Sequence, residues 1–130
     1  MRYILILSLI AMSWTLANAQ DKKDEKAITP PDILKIYKAL LAGTLENDID
    51  KFHSVCDAKM KEAITKLTLS SVNESVVKLI NKDSKNEYIG YYIKDGIEVH
   101  LFKITQKSLQ DDLVVLLSVK NDKCVGFLLQ

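Results

Sequence analysis

The sequence predicts an α+β fold in which N-terminal helices pack on a four-stranded antiparallel sheet. Three observations carry this. Apolar residues recur at helical spacing from Ile33 to Ile80, and from Tyr88 onward the chain turns to short runs rich in β-branched and aromatic residues. Between those runs lie Asp95-Gly96 and Asn121-Asp122, residue pairs that suit the positive φ angles of two-residue hairpin turns. Helices first and strands after, joined by short connections, is the order of a layered α+β domain.

The first helix is expected to open at Thr29-Pro30-Pro31-Asp32, with Thr29 as cap, proline where the first amides lack partners, and Asp32 at the positive helix end. Ile33, Ile36, Tyr37, Leu40 and Leu41 form its buried stripe, and Gly43 reads as its stop. A short second helix carries Leu45, Ile49, Phe52 and Cys56 on one face. Asp57 is placed to cap a third, with Met60, Ala63, Ile64 and Leu67 as its stripe. Ser71-Val72-Asn73-Glu74 has capping-box spacing and is expected to open a fourth helical piece running through Val76, Leu79 and Ile80. Asn81 to Asn86 is loop chemistry. The strands are expected at Tyr88–Lys94, Ile97–Ile104, Leu113–Lys120 and Lys123–Leu129, with Thr105 to Asp112 as a longer hairpin loop.

Ahead of this domain, Met1 to Ala19 has the pattern of a cleavable signal peptide: Arg2 at the start, an apolar stretch to Leu16, and small residues at Ala17 and Ala19. Cleavage after Ala19 implies a secreted or periplasmic protein with no membrane span left after processing. Gln20 to Ile28 then reads as a charged linker and residues 29–130 as a single domain. The full chain of 130 residues carries 18 Lys+Arg against 17 Asp+Glu; without its first 19 residues it is 111 residues with 17 Lys, no Arg and no Trp, and is charge-neutral. Neutrality and the lack of any guanidinium argue against nucleic-acid binding and against arginine clamps on phosphate or carboxylate.

Strand alternation sets Leu113, Val115, Leu117 and Val119 against Val114 and Leu116, and sets Val125, Phe127 and Leu129 against Cys124, Gly126 and Leu128. Both sheet faces are therefore apolar near the last strands. Helices can cover one; a homodimer through the sheet is the leading expectation for the other, with a helix edge or the N-terminal linker as the alternative cover.

The long first helix, the Phe52-His53-Ser54-Val55-Cys56-Asp57 turn, Lys59-Met60-Lys61 and the closing Val125-Gly126-Phe127-Leu128 strand together resemble the nuclear transport factor 2-like superfamily over about residues 32–130. It is similar to small secreted bacterial domains of that superfamily. The resemblance implies a curved sheet wrapped as a cone around a pocket capped by the helices. It also implies one of three uses: a non-enzymatic site for a small apolar ligand or a protein partner, an isomerase- or dehydratase-type active site, or an interaction module whose cone is plugged by its own side chains.

Tyr37, Phe52, Tyr88, Tyr92, His100 and Phe102 are the candidates to line such a pocket. Alternation puts Tyr88 and Tyr92 on one face and Tyr91 on the other. Ile97, Val99 and Leu101 read as the apolar face of their strand, leaving Glu98 and His100 on the opposite side. An enzymatic reading needs one of those two as an inward-facing base, so no catalytic residue is assigned. His53 and His100 are 47 positions apart with no metal-ligand spacing, no glycine-rich phosphate loop or nucleophile motif occurs, and no metal or cofactor is expected. Cys56 and Cys124 form an even pair that fits either a disulfide or two buried thiols. Asn73-Glu74-Ser75 is a glycosylation sequon, of consequence only in a eukaryotic secretory route.

Overall fold

A computed structural model describes residues 29–130. The expected signal peptide (1–19) and charged linker (20–28) lie outside the described residues. Among the described residues four helices, α1 (Pro31–Glu46), α2 (Ile49–His53), α3 (Ala58–Ala63) and α4 (Lys66–Val76), precede four strands, β1 (Lys85–Lys94), β2 (Ile97–Thr105), β3 (Leu113–Lys120) and β4 (Lys123–Leu129). The strands form one antiparallel sheet in the order β1-β2-β3-β4, a meander. The fold is α+β, helices first. Among the described residues no helix is long and apolar enough to cross a membrane.

Local chemistry explains where the helices start and stop, and corrects three expectations. Thr29 does not cap α1: the N-cap is Pro30, held extended by the proline that follows it, and its carbonyl accepts from Leu34 N at 2.9 Å. Nor does Gly43 end α1. The helix runs on to Asn47, which takes the left-handed conformation (φ 55°) while Asp48 N bonds back to Gly43 O at 2.8 Å. Gly43 serves a close approach instead, since a Cβ there would sit 2.8 Å from the backbone nitrogen of Phe52 on α2. The third correction concerns α4, which opens at Thr65, whose side chain accepts from Thr68 N. Ser71 to Glu74 consequently falls inside α4, and Leu67, expected in the stripe of the preceding helix, is 80% exposed. Asp48 and Asp57 cap α2 and α3 through Lys51 N (3.1 Å) and Met60 N (2.8 Å).

In the sheet, Asp95 and Gly96 (φ 53° and 76°) and Asn121 and Asp122 (φ 51° and 60°) make the tight turns that their chemistry suggested. β1 starts at Lys85, ahead of the expected Tyr88. Two bulges reset the faces. In β1 the register passes from Tyr88↔Phe102 to Gly90↔Leu101, skipping Ile89; in β4 it passes from Val119↔Cys124 to Ser118↔Gly126, skipping Val125. An extra residue inverts the alternation beyond it, so Tyr88 and Tyr91 share a face with His100 while Tyr92 lies on the other, opposite Val99. By the same shift Cys124 joins Phe127 and Leu129 on the helix-facing side.

That side of β2 is also the reverse of the expected one. Phe102, Ile104 and His100 are all buried, Phe102 against Tyr37 of α1, and Val115, Leu117, Val119 and Cys124 continue their face across β3 and β4. Ile33, Ile36, Tyr37 and Leu40 of α1, Phe52 of α2, Met60 of α3, and Leu69 and Val76 of α4 complete the core from above. The opposite sheet face carries the cross-strand row Leu101, Leu116 and Leu128, of which Leu128 is 52% exposed.

Candidate functional site

A cleft of about 540 Å³ opens between α4 and the β3–β4 edge of the sheet. One wall is a single helical face, because Ser71, Val72, Ser75, Val76 and Leu79 are spaced to project on one side of α4 and its continuation. The other is Leu113 at the start of β3 with Phe127, Leu128 and Leu129 at the end of β4; Thr44 of α1 and Gln130 complete the lining. No charged side chain lines it. Its hydroxyls are occupied locally: Thr44 Oγ1 donates to Leu40 O at 2.8 Å and Ser71 Oγ to Leu67 O at 3.3 Å. What the cleft offers a guest is therefore aliphatic and aromatic surface. Asn73 fixes the helix wall, its Nδ2 donating to the carbonyls of Thr44 (2.8 Å) and Leu45 (3.0 Å) on α1. A glycan on that nitrogen is incompatible with keeping both bonds, so the folded chain does not present the sequon.

The second concentration of polar chemistry is His100. It is 2% exposed, and its Nδ1 lies 2.9 Å from the Tyr88 hydroxyl. The ring of Tyr91 stacks over it at 5.2 Å, and Nε2, without a hydrogen-bond partner among the described residues, stands 3.7 Å from a carboxylate oxygen of the half-exposed Glu98. A neutral ring satisfies this geometry when Tyr88 donates to Nδ1 and Nε2 carries the proton toward Glu98. At 2% exposure the imidazole is out of reach of a substrate in this conformation.

The chain matches no family model, no curated protein and no solved structure.

None of the residues nominated from the sequence lines the cleft; all but Tyr92 are buried. Tyr37 is stacked on Phe102 with ring centroids 3.8 Å apart and planes 3° from parallel, and its hydroxyl donates to Asn86 Oδ1. Burial pushes the Tyr37 phenol well above its ordinary range, which keeps it a donor. Phe102 in turn packs on Tyr88 at 5.2 Å. Phe52 backs the cleft from behind, edge-on to Phe127 at 6.1 Å. Tyr92, 46% exposed, is on the far side of the sheet. Cys56 and Cys124 are buried thiols facing one another beneath the α2–α3 turn. Among the described residues no group of three or more His, Cys, Asp or Glu could hold a metal.

His100 carries a pH dependence. Burial lowers its pKa, with Glu98 acting in the opposite direction, while Tyr88 and Tyr91 are the other titratable groups against the ring. The unfolded chain takes up a proton below about pH 6.5 that the folded chain resists. The stability held by the neutral ring is thus present above that pH and lost as pH falls. Melting temperatures measured between about pH 7 and pH 5 should drop more steeply for the natural chain than for His100→Phe. Parallel curves would contradict the assignment of a neutral, buried imidazole.

Proposed function

We propose that this chain is a non-enzymatic, secreted or periplasmic domain that binds a small, uncharged apolar molecule in the α4–β4 cleft. The observation that carries the reading is the cleft itself, about 540 Å³ with a mainly apolar lining that holds no charged side chain among the described residues. This volume falls in the range typical of small-molecule sites. Membership of the nuclear transport factor 2-like superfamily is part of the proposal, supported by the order of helices followed by a four-stranded meander. The ligand site moves, however, from the interior beneath α1, where Tyr37, Phe102, Tyr88 and His100 pack on one another, to the cleft beside α4.

The energetics are modest. Burying about 250 Å² of apolar ligand surface at ~25 cal/mol per Å² contributes about 6 kcal/mol before the cost of immobilising the ligand, so the dissociation constant should be no tighter than on the order of 50 µM. Because the ligand is uncharged and no charged side chain lines the cleft, affinity should be nearly independent of salt.

Titration with a fluorescent alkyl probe tests this. One saturable site is expected, insensitive to ionic strength, and weakened about tenfold or more by Val72→Asp, which sets a charge among the apolar lining residues. Val72 is 41% exposed, so the substitution leaves the core alone; Leu67→Asp, at an 80% exposed position on the same helix, is the control and should bind as the natural chain does. Equal affinities for all three proteins would refute the cleft as the site.

A further inference from the structure

Cys56 lies at the turn between α2 and α3, and Cys124 near the start of β4, 68 positions later. The fold brings them together as partners in an isolated parallel β-bridge. Two backbone hydrogen bonds clamp the bridge: Asp57 N donates to Cys124 O at 3.0 Å, and Cys124 N donates to Val55 O at 2.8 Å. Bridged backbones stand about 4.8 Å apart, inside the roughly 4.4–6.8 Å window between Cα atoms that a disulfide spans. Bridge partners also project to the same side, and the two thiols here are within hydrogen-bonding reach of one another. Among the described residues the other hydrogen bond of each thiol is to a backbone carbonyl, Phe52 O at 3.1 Å from Cys56 Sγ and Gly126 O at 3.5 Å from Cys124 Sγ.

We propose that Cys56 and Cys124 are a cross-linking pair, closed to a disulfide by exchange with a small-molecule or protein disulfide, which staples β4 to the α2–α3 turn. The proposal is independent of what the cleft binds. The Cys56 thiolate attacks the donor disulfide, whose S–S bond breaks to release one donor thiol and leave a mixed disulfide on Cys56. Cys124, giving up its proton, then attacks the Cys56 sulfur and expels the second donor thiol. Two thiols are oxidised, one disulfide is reduced to two thiols, and two electrons and two protons pass to the donor.

Both sulfurs are buried, so exchange precedes the docking of β4, and the finished bond is shielded from reductants.

The test refolds the reduced full-length chain in a mixture of oxidised and reduced glutathione, quenches with iodoacetamide, and reads intact mass and tryptic peptides. A chain lighter than the reduced one by two hydrogens is expected, with the Phe52–Lys59 peptide joined to Cys124–Gln130. Alkylation at both cysteines, glutathione on both, or cross-links between chains would overturn the proposal. Cys56→Ser and Cys124→Ser should each retain one modifiable thiol, showing that the loss of reactivity in the natural chain comes from the pair. In the oxidised chain the unfolding equilibrium constant should fall by about a hundredfold relative to the reduced chain. Equal stability of the two forms would remove the stapling role.

Discussion

Phe102→Ala should destabilise the chain by about 3–5 kcal/mol, a large share of the roughly 5–15 kcal/mol that holds a domain of this kind together. Phe102 is 2% exposed and sits at the junction of the two layers. The Tyr37 ring lies flat on it from α1, the Tyr88 ring leans on it from β1, and Val115 is its cross-strand partner on β3. Removing the ring leaves a cavity that three fixed neighbours cannot refill. A urea titration of the variant reads the loss as a shift of midpoint at unchanged slope. The comparison with Leu101→Ala is decisive for the face assignment, because Leu101, one residue away, lies on the opposite side of β2 and is only half-buried. If Leu101→Ala proved the more damaging of the two, the core would be on the wrong side of the sheet.

Gly43→Ala should cost roughly 1–3 kcal/mol, although in an ordinary helix interior the same change stabilises by about 1 kcal/mol. The reversal comes from what the new methyl group meets. At Gly43 it would fall 2.8 Å from Phe52 N, and 3.0 Å from both Asp48 O and the Phe52 Cα, all of them backbone atoms that no rotamer change can move. Either α2 shifts away from α1, loosening Phe52 and the Phe127 ring edge-on to it, or α1 deforms. Chemical denaturation would show the sign directly, and a stabilised Gly43→Ala would mean that α2 does not pack on α1 this closely.

The sheet was the more legible half of the sequence in its boundaries and the less legible in its faces. Turn chemistry at Asp95-Gly96 and Asn121-Asp122 marks strand ends because only residues that tolerate positive φ serve there, and β3 and β4 begin and end where the β-branched runs do. A bulge leaves no comparable mark. Skipping Ile89 and Val125 inverts the alternation beyond each, which moves Tyr92 out of the core layer and Cys124 into it. On β2 two apolar sets, Ile97-Val99-Leu101 and Phe102-Ile104, compete; the polar His100 tipped the reading toward the first, whereas the structure buries His100 against Tyr88.

The cleft was hidden by a related error. Ser71-Val72-Asn73-Glu74 matches a capping box, which places Val72 in a first turn, whereas the structure sets it on a mid-helix face with Val76 and Leu79. Their spacing was readable, but only once Thr65 is recognised as the cap. Aromatic residues drew attention as pocket formers, and most of them are the large side chains that fill the interior.

Photolabelling with an alkyl probe bearing a diazirine tests the central claim most directly, since it reports where the ligand sits. Labelling should concentrate on the α4 peptide Leu67–Lys78 and the C-terminal peptide Cys124–Gln130, the two walls of the cleft, and unlabelled probe should compete it away. Competable labelling confined to β1 and β2, or label spread over the chain without competition, would contradict the account.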